Sequence, residues 1–323
     1  NKKGVGSPGD FIAVFGRFFG SGVFCLWDDE YIRATSIIMN QRNKMKRHFL
    51  KLFSTLLTIV IVLTPLFGQS WTEHEIDADL EGAYSVYAVD VDGDGDMDVL
   101  GGAFYAIIWW ENDGSPATGA WPAHTIDTDF AKVYSVYAAD VDGDGDMDVL
   151  AGAWWSITWW ENDGSPATGA WPEHTITTAA LNPYEIYAAD LNGDGDLDIL
   201  SASKLDDTVS WWENNGSESF TEHEITTTDD GVSAVYAVDL DGDGDLDVLT
   251  GSIDDHTIGW YRNNGSGSFS SIITINTSAM KARSVYAIDV DGDGDMDVLS
   301  ASRDDDTIAW YRNDGSESFT EFE

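Results

Sequence analysis

The chain has 323 residues and a formal charge of −42, from 16 Lys/Arg against 58 Asp/Glu. Residues 1–70 hold nine of those bases and four of the acids, which leaves seven against 54, a formal −47, for residues 71–323. A surface of that sign repels nucleic acid and anionic lipid and calls for cations. The 43% hydrophobic content and 14 Trp supply a core and argue against disorder. Cys25 is the only cysteine, so disulfides and thiolate metal sites are excluded after residue 70.

Residues 1–44 carry no repeat and no clean periodicity, and they read either as translated sequence upstream of Met45 or as an irregular extension. Residues 45–70 begin with Lys46, Arg47 and Lys51, continue through the apolar run Leu52 to Leu63, and end with Gly68 and Ser70. That is the layout of a secretory signal peptide, and the apolar run is shorter than the roughly 18 residues a membrane anchor needs. Secretion to the exterior or the cell surface follows as an expectation, with no membrane insertion after cleavage.

From residue 71 the chain repeats itself. DVDGDGDMD starts at Asp90, Asp140 and Asp289, DLNGDGDLD at Asp190 and DLDGDGDLD at Asp239, with spacings of 49 or 50 residues. Each acidic run follows an alternating stretch such as SVYAVD (85–90) and precedes one such as DVLGGAF (98–104). A Trp-rich stretch such as IIWWEND (107–113) comes next, then one such as AHTID (123–127). These pieces are short, β-branched and aromatic, and Asn-Gly, Asp-Gly and Gly-Ser separate them, which predicts strands and tight turns. Four strands per 50 residues predict one blade of an all-β propeller, here called A to D, with five blades recognisable over 71–323. An isolated blade cannot cover both its faces, so neighbours must stack.

The acidic runs carry the chemistry. Asp90, Asp92, Asp94, Asp96 and Asp98 place five carboxylates within nine residues, and Gly93 and Gly95 let the backbone curl so that alternate side chains converge. Two such charges about 4–5 Å apart repel by about 3–4 kcal/mol at an effective dielectric of about 20. Hard oxygen donors suit Ca²⁺, about one per repeat, while the lack of His and Cys in the loops disfavours zinc and copper. An EF-hand is rejected: its twelfth loop position would be Glu, and here it is Gly101, Ala151, Ser201, Thr250 or Ser300.

The runs ADVDGDGDMD (139–148) and ADLNGDGDLD (189–198), with the continuation DVLSASRDDDTIAWYRNDG (297–315), resemble the FG-GAP/VCBS repeats of integrin-α-type propellers. The resemblance covers residues 71–323. It implies that each A–B loop binds Ca²⁺ through side chains at positions 1, 3, 5 and 9 and the carbonyl at position 7. Those residues are Asp90, Asp92, Asp94 and Asp98 with Asp96, then Asp140, Asp142, Asp144 and Asp148 with Asp146. The third set is Asp190, Asn192, Asp194 and Asp198 with Asp196, and the fourth Asp239, Asp241, Asp243 and Asp247 with Asp245. The fifth is Asp289, Asp291, Asp293 and Asp297 with Asp295. Asn192 is the one departure and predicts a modestly weaker third site.

Family propellers often have about seven blades, whereas five acidic loops are present here. The repeat region opens on a D-like stretch, WTEHEID (71–77), and ends inside another, FTEFE (319–323). Either further blades are missing, or five blades close with an overlapping strand.

The paired aromatics of strand C, such as Trp109/Trp110 and Trp159/Trp160, point to opposite faces and read as core. Four histidines at one repeat position, His74, His124, His174 and His223, read as scaffold. The B–C links vary: Phe104/Tyr105 and Trp154/Trp155 in the first two units, acidic and longer in the last three. These four aromatics are the candidate ligand contacts, for an extracellular glycan or a protein. A binding or adhesion module is therefore the leading reading, and no catalytic constellation is visible. A polysaccharide lyase or hydrolase using Asp206, Asp254, Glu81 or Asp230 is the alternative, as is a structural spacer in a larger surface protein.

Overall fold

The computed structural model describes residues 73–322. The readings of residues 1–44 and of the signal segment 45–70 therefore lie outside the described residues. Twenty strands form five antiparallel four-stranded sheets, each in simple meander order. The first sheet is β1 (Ser85–Val89), β2 (Asp98–Gly102), β3 (Ile107–Trp110) and β4 (Ala123–Asp127). The second is β5 (Val133–Ala139), β6 (Asp148–Ala153), β7 (Ile157–Trp160) and β8 (Glu173–Thr177). The third is β9 (Pro183–Ala189), β10 (Asp198–Ser203), β11 (Thr208–Asn214) and β12 (Phe220–Thr226). The fourth is β13 (Val232–Val238), β14 (Asp247–Ser252), β15 (Ile258–Tyr261) and β16 (Ile273–Asn276). The fifth is β17 (Ala282–Ile288), β18 (Asp297–Ser302), β19 (Thr307–Asn313) and β20 (Phe319–Phe322). No helix occurs among the described residues, and so none is long and apolar enough to cross a membrane.

The innermost strands β1, β5, β9, β13 and β17 pack one against the next in chain order. Tyr87, Tyr137, Tyr187, Tyr236 and Tyr286 follow that line, with successive ring centroids 4.6–5.2 Å apart. The core lies between sheets, in four clusters for four interfaces. Trp109 meets Trp160 between the first and second sheets, and Trp159 meets Trp212 between the second and third. Trp211 meets Tyr261 next, and Trp260 meets Tyr311 last. In each interior sheet one member of the strand-C pair thus serves the sheet before and the other the sheet after, because adjacent strand residues point to opposite faces. The paired aromatics are core, as the pattern predicted, except Trp310, which is half-buried on the open face of the fifth sheet.

The ring does not close between the fifth sheet and the first. Val86 on β1 is 73% exposed, whereas its counterparts Val136, Ile186, Val235 and Val285 are 2–6% exposed. Ile308 on β19 is 71% exposed, whereas Ile107, Ile157, Val209 and Ile258 are at 0%. Each interior sheet has two neighbours, and the two terminal sheets have one each. The D-like stretch at 71–77 forms no strand over its described part, residues 73–77. Its expected place is taken: β20 already pairs along β19 in the fifth sheet. The overlapping-strand closure of five blades is therefore not what the chain adopts.

Candidate functional site

All five acidic runs connect an innermost strand to the second strand of its sheet, at one end of the array. Gly93 and Gly95 take φ of +73° and +95°, which side-chain-bearing residues avoid, and the equivalent pairs in the other four loops do the same. That backbone turns its N–H groups inward onto carboxylates. Asp90 Oδ1 accepts from Gly93 N at 2.8 Å and Asp90 Oδ2 from Gly95 N at 2.9 Å. Asp92 accepts from Asp94 N, and Asp94 from Asp96 N. The same Gly-to-Asp bonds recur at Asp140, Asp190, Asp239 and Asp289.

Position 9 opens the second strand and is fully buried in every unit: Asp98, Asp148, Asp198, Asp247 and Asp297. Asp98 Oδ2 accepts from Val91 N at 2.9 Å and its Oδ1 from Asn112 N at 2.8 Å, and each counterpart repeats both bonds. This carboxylate ties the loop to the end of the third strand. Position 7 points elsewhere: the Asp96 carboxylate lies against Gly114, where an added Cβ would meet Oδ2 at 2.7 Å. Its side chain thus lies against the turn that follows the third strand.

The carboxylates converge. Oxygens of Asp90, Asp92 and Asp94 lie within 4.8 Å of one another, and so do those of Asp140, Asp142 and Asp148. Asp239, Asp241 and Asp243 form a third such group, and Asp289, Asp291 and Asp297 a fourth. Two oxygens bound to one ion at about 2.4 Å stand at most about 4.8 Å apart, so each group could hold a single cation of that size. In the third loop Asn192 stands among the carboxylates, and its Nδ2 donates to Asp194 Oδ2 at 3.0 Å.

Electrostatics point the same way. Burial pushes the carboxyls of Asp148 and Asp247 up to about 7 and that of Asp198 up to about 6, against backbone N–H bonds that hold them down. Asp98, Asp92 and Asp142 are raised as well, burial again being the first cause. A folded loop of this shape disfavours its own charges until a cation neutralises them.

Two sets of residues escaped the sequence reading. Asn112, Asn162, Asn214, Asn263 and Asn313, one at the end of each strand C, are all buried. In the last four units the side-chain amide donates back to the acidic loop of the preceding sheet: to Val91, Val141, Leu191 and Leu240 carbonyls at 2.6–3.2 Å. Their recurrence at one phase was the available signal. The second set is the residue just before that Asn: Glu111, Glu161 and Glu213, then Arg262 and Arg312. Arg262 Nε lies 2.7 Å from Asp241 Oδ2, and Arg312 Nε 2.6 Å from Asp291 Oδ2. The three glutamates instead hold His124, His174 and His223 at 2.7–3.0 Å. Those imidazoles stack on Trp109, Trp159 and Trp211 with centroids 4.3–4.6 Å apart, so the three are scaffold, as read.

At the opposite end, the strand B–C turns meet the turns that enter strand A: Lys132 N donates to Phe104 O, and Asn182 N to Trp154 O. Phe104, Tyr105 and Trp155 are exposed there, and Trp154 is half-buried. Two clefts result. One, of about 400 Å³, is lined by Tyr105, Phe130, Lys132, Trp154 and Trp155. Another, of about 280 Å³, is lined by Tyr84, Phe104, Lys132 and Tyr134. The four candidate ligand residues therefore share one region. Among the acids named for catalysis, Asp206 Oδ2 accepts from Leu181 N at 3.2 Å, and the Asp230 carbonyl accepts from Asp254 N and Asp255 N.

The FG-GAP-like repeat pattern matches residues 90–151, 148–201, 190–250, 251–300 and 289–323, and the chain belongs to that family. No curated protein matches the chain. Among solved structures, an Agrocybe aegerita lectin that recognises non-reducing terminal N-acetylglucosamine is 21% identical, with a TM-score of 0.55. The match covers 75% of this chain and 65% of the lectin. The Vibrio cholerae biofilm matrix protein Bap1 is 16% identical at a TM-score of 0.43, over 77% of this chain and 41% of that one. The Photorhabdus luminescens Tc holotoxin pore is 17% identical at 0.41, over 78% of this chain and 12% of that one. At these identities the lectin speaks for the fold alone: a propeller-like array of four-stranded sheets.

Proposed function

We propose that this protein is a secreted, calcium-dependent binding module that presents one end of its sheet array to an extracellular glycan. Calcium occupies the five acidic loops through the side chains at positions 1, 3, 5 and 9 and the carbonyl at position 7. The donor set supports that choice: it is all oxygen, several donors are charged, and the cluster spacing suits an ion of that radius. The ions hold strands A and B of each sheet together and leave the opposite end to bind.

The observation that carries the glycan reading is the break in repetition at the B–C turns. Where the last three sheets put acids, the first two put Phe104, Tyr105, Trp154 and Trp155, exposed or half-buried around two clefts. Aromatic faces at a cleft mouth stack on the C–H faces of sugar rings. The test is a glycan array probed with calcium-loaded protein and with Trp155→Ala, which removes a largely exposed side chain. Terminal N-acetylglucosamine belongs on that array because a protein of this fold recognises it. Retained sugar binding by the wild type and its loss in Trp155→Ala support the reading. An array with no ligand for the wild type overturns it.

A further inference from the structure

The seven cations after residue 70 are not spread evenly. Arg262 and Arg312 sit at the acidic-loop end, each against loop aspartates. Lys132, Lys204, Lys281, Arg283 and Arg303 all lie at the opposite end, in or beside the turns that meet there. Two of these five are matched: Arg303 with Asp304 at 2.7 Å, and Lys281 facing Asp254 at 4.0 Å. Lys132, Lys204 and Arg283 make no ion pair among the described residues, in a region where acids outnumber bases 54 to seven. They lie over aromatic rings instead. Lys132 Nζ is 3.3 Å from the Trp154 ring centroid, and Lys204 Nζ and the Arg283 guanidinium are 5.6 and 5.5 Å from that of Tyr184.

Backbone geometry supplies a second, independent mark on Lys132. The residue entering strand A has positive φ in all five sheets: Gly82, Lys132, Asn182, Gly231 and Lys281. Glycine adopts that conformation without strain, and asparagine is the next most tolerant. Lysine tolerates φ 59° less well than either, so Lys132 is an uncommon choice at this turn. Its head group stands in the wall common to both clefts. Arg283 reaches the same region from the fifth sheet, its Nη1 donating to Tyr184 Oη at 2.5 Å, while Tyr184 stacks on Tyr134 at 5.4 Å.

Resting on the glycan reading above, we infer that Lys132, supported by Lys204 and Arg283, selects saccharides bearing an anionic group. The sugar ring lies on the aromatic wall of the cleft, and a carboxylate or sulfate ester accepts from the Lys132 ammonium. A bound anion supplies the counter-charge that the fold withholds from these three cations. The acidic turns of sheets four and five keep Lys281 and Arg303 for themselves, which leaves the unpaired cations around the rings of Trp154 and Tyr184.

The test is calorimetric titration of the full chain at one fixed free Ca²⁺, with two pairs of probes. One pair is an oligouronate and its carboxyl-reduced counterpart; the other is a sulfated oligosaccharide and its desulfated form. At least one acidic form should bind about tenfold more tightly than its neutral counterpart, and the pair that does so identifies the anion. Lys132→Asn, which places at this turn the residue that Asn182 already supplies at φ 64°, should remove most of that preference. Arg303→Gln, an equal loss of charge on the same end of the array, should keep it. Equal binding of acidic and neutral partners in both pairs overturns the inference and leaves the glycan reading standing. Binding of no saccharide overturns both. A preference lost equally in Arg303→Gln and Lys132→Asn reduces the effect to general charge and also overturns it.

Discussion

Glu111, Glu161 and Glu213 stand where Arg262 and Arg312 stand in the last two units, and the exchange falls beside the acidic loops. The two guanidiniums already occupy oxygens of Asp241, Asp291 and Asp293, and the Arg312 contact helps to hold the Asp293 carboxyl below its usual range after the backbone bond from Asp295. Exposed ion pairs are worth about 0–1 kcal/mol, but a divalent ion must share or displace them. The fourth and fifth sites should therefore form a class weaker than the first and second by up to about fivefold, the third being set apart by Asn192. Competition with a calcium chelator reads this directly, and Arg262→Glu should move the fourth site into the tighter class. Five equal sites, unchanged by that substitution, would refute the assignment. Glu185 breaks symmetry in another way. It occupies the place of Ser85, Ser135 and Ser284 and accepts from Val235 N at 2.9 Å, and burial pushes its carboxyl up to about 7. The folded state then keeps a proton that the unfolded state has lost above about pH 4.5, so stability falls as pH rises toward 7 and levels off beyond. At saturating Ca²⁺, Glu185→Gln should raise stability at pH 8 by about 1–2 kcal/mol, discounted for partial exposure, and have little effect at pH 4.5. Denaturant melts at the two pH values decide it, and equal gains at both would show that proton binding is not the cause.

Each sheet is joined to the one before it by an asparagine as well as by its aromatic pair. Asn263 Nδ2 donates to Leu191 O at 2.6 Å and to Leu246 O at 2.9 Å, and its Oδ1 accepts from Gly265 N. Asn112 has the intra-sheet bond to Met97 O and, among the described residues, no earlier sheet to reach. Asn263→Ala should cost about 2–3 kcal/mol, since it leaves buried carbonyls without a donor, and Asn112→Ala about 1 kcal/mol. Chemical denaturation of the two variants measures the difference; equal losses would mean that the bond to the preceding loop contributes nothing. The strands, their order and the acidic loops between the first two of each sheet were legible in the sequence, because a 49–50-residue period repeats alternation, turn residues and Asp spacing together. The asparagines were not, because Trp-Glu-Asn-Asp reads locally as a turn, and its partner lies more than 70 residues earlier. Nor was the meaning of Glu against Arg at the neighbouring position, which shows only once β3 and its equivalents are seen to end beside the loops.

Across the array, the uncovered faces of the first and fifth sheets explain what repeat counting left open. The D-like stretches at 71–77 and 319–323 left two arrangements open; the exposure of Val86 and Ile308, against buried counterparts at every interior interface, shows that the five units do not close on one another. Ile258→Ser should cost about 3–4 kcal/mol as a buried apolar loss, and Ile308→Ser at the same repeat position under 0.5 kcal/mol. Thermal melts of both variants check this, and a large loss at Ile308 would mean that its face is covered in solution. The central claim is that divalent ions are part of the fold. At ten to a hundred times a dissociation constant of about 10⁻⁴–10⁻³ M, each site adds about 1.4–2.7 kcal/mol, so five sites together match the whole stability of an ordinary domain. Calorimetric melting in 10 mM CaCl₂ and again in excess EDTA is the most direct test. The account predicts a single transition that drops by well over 10 °C, or disappears, when the ion is removed; superimposable curves would contradict it.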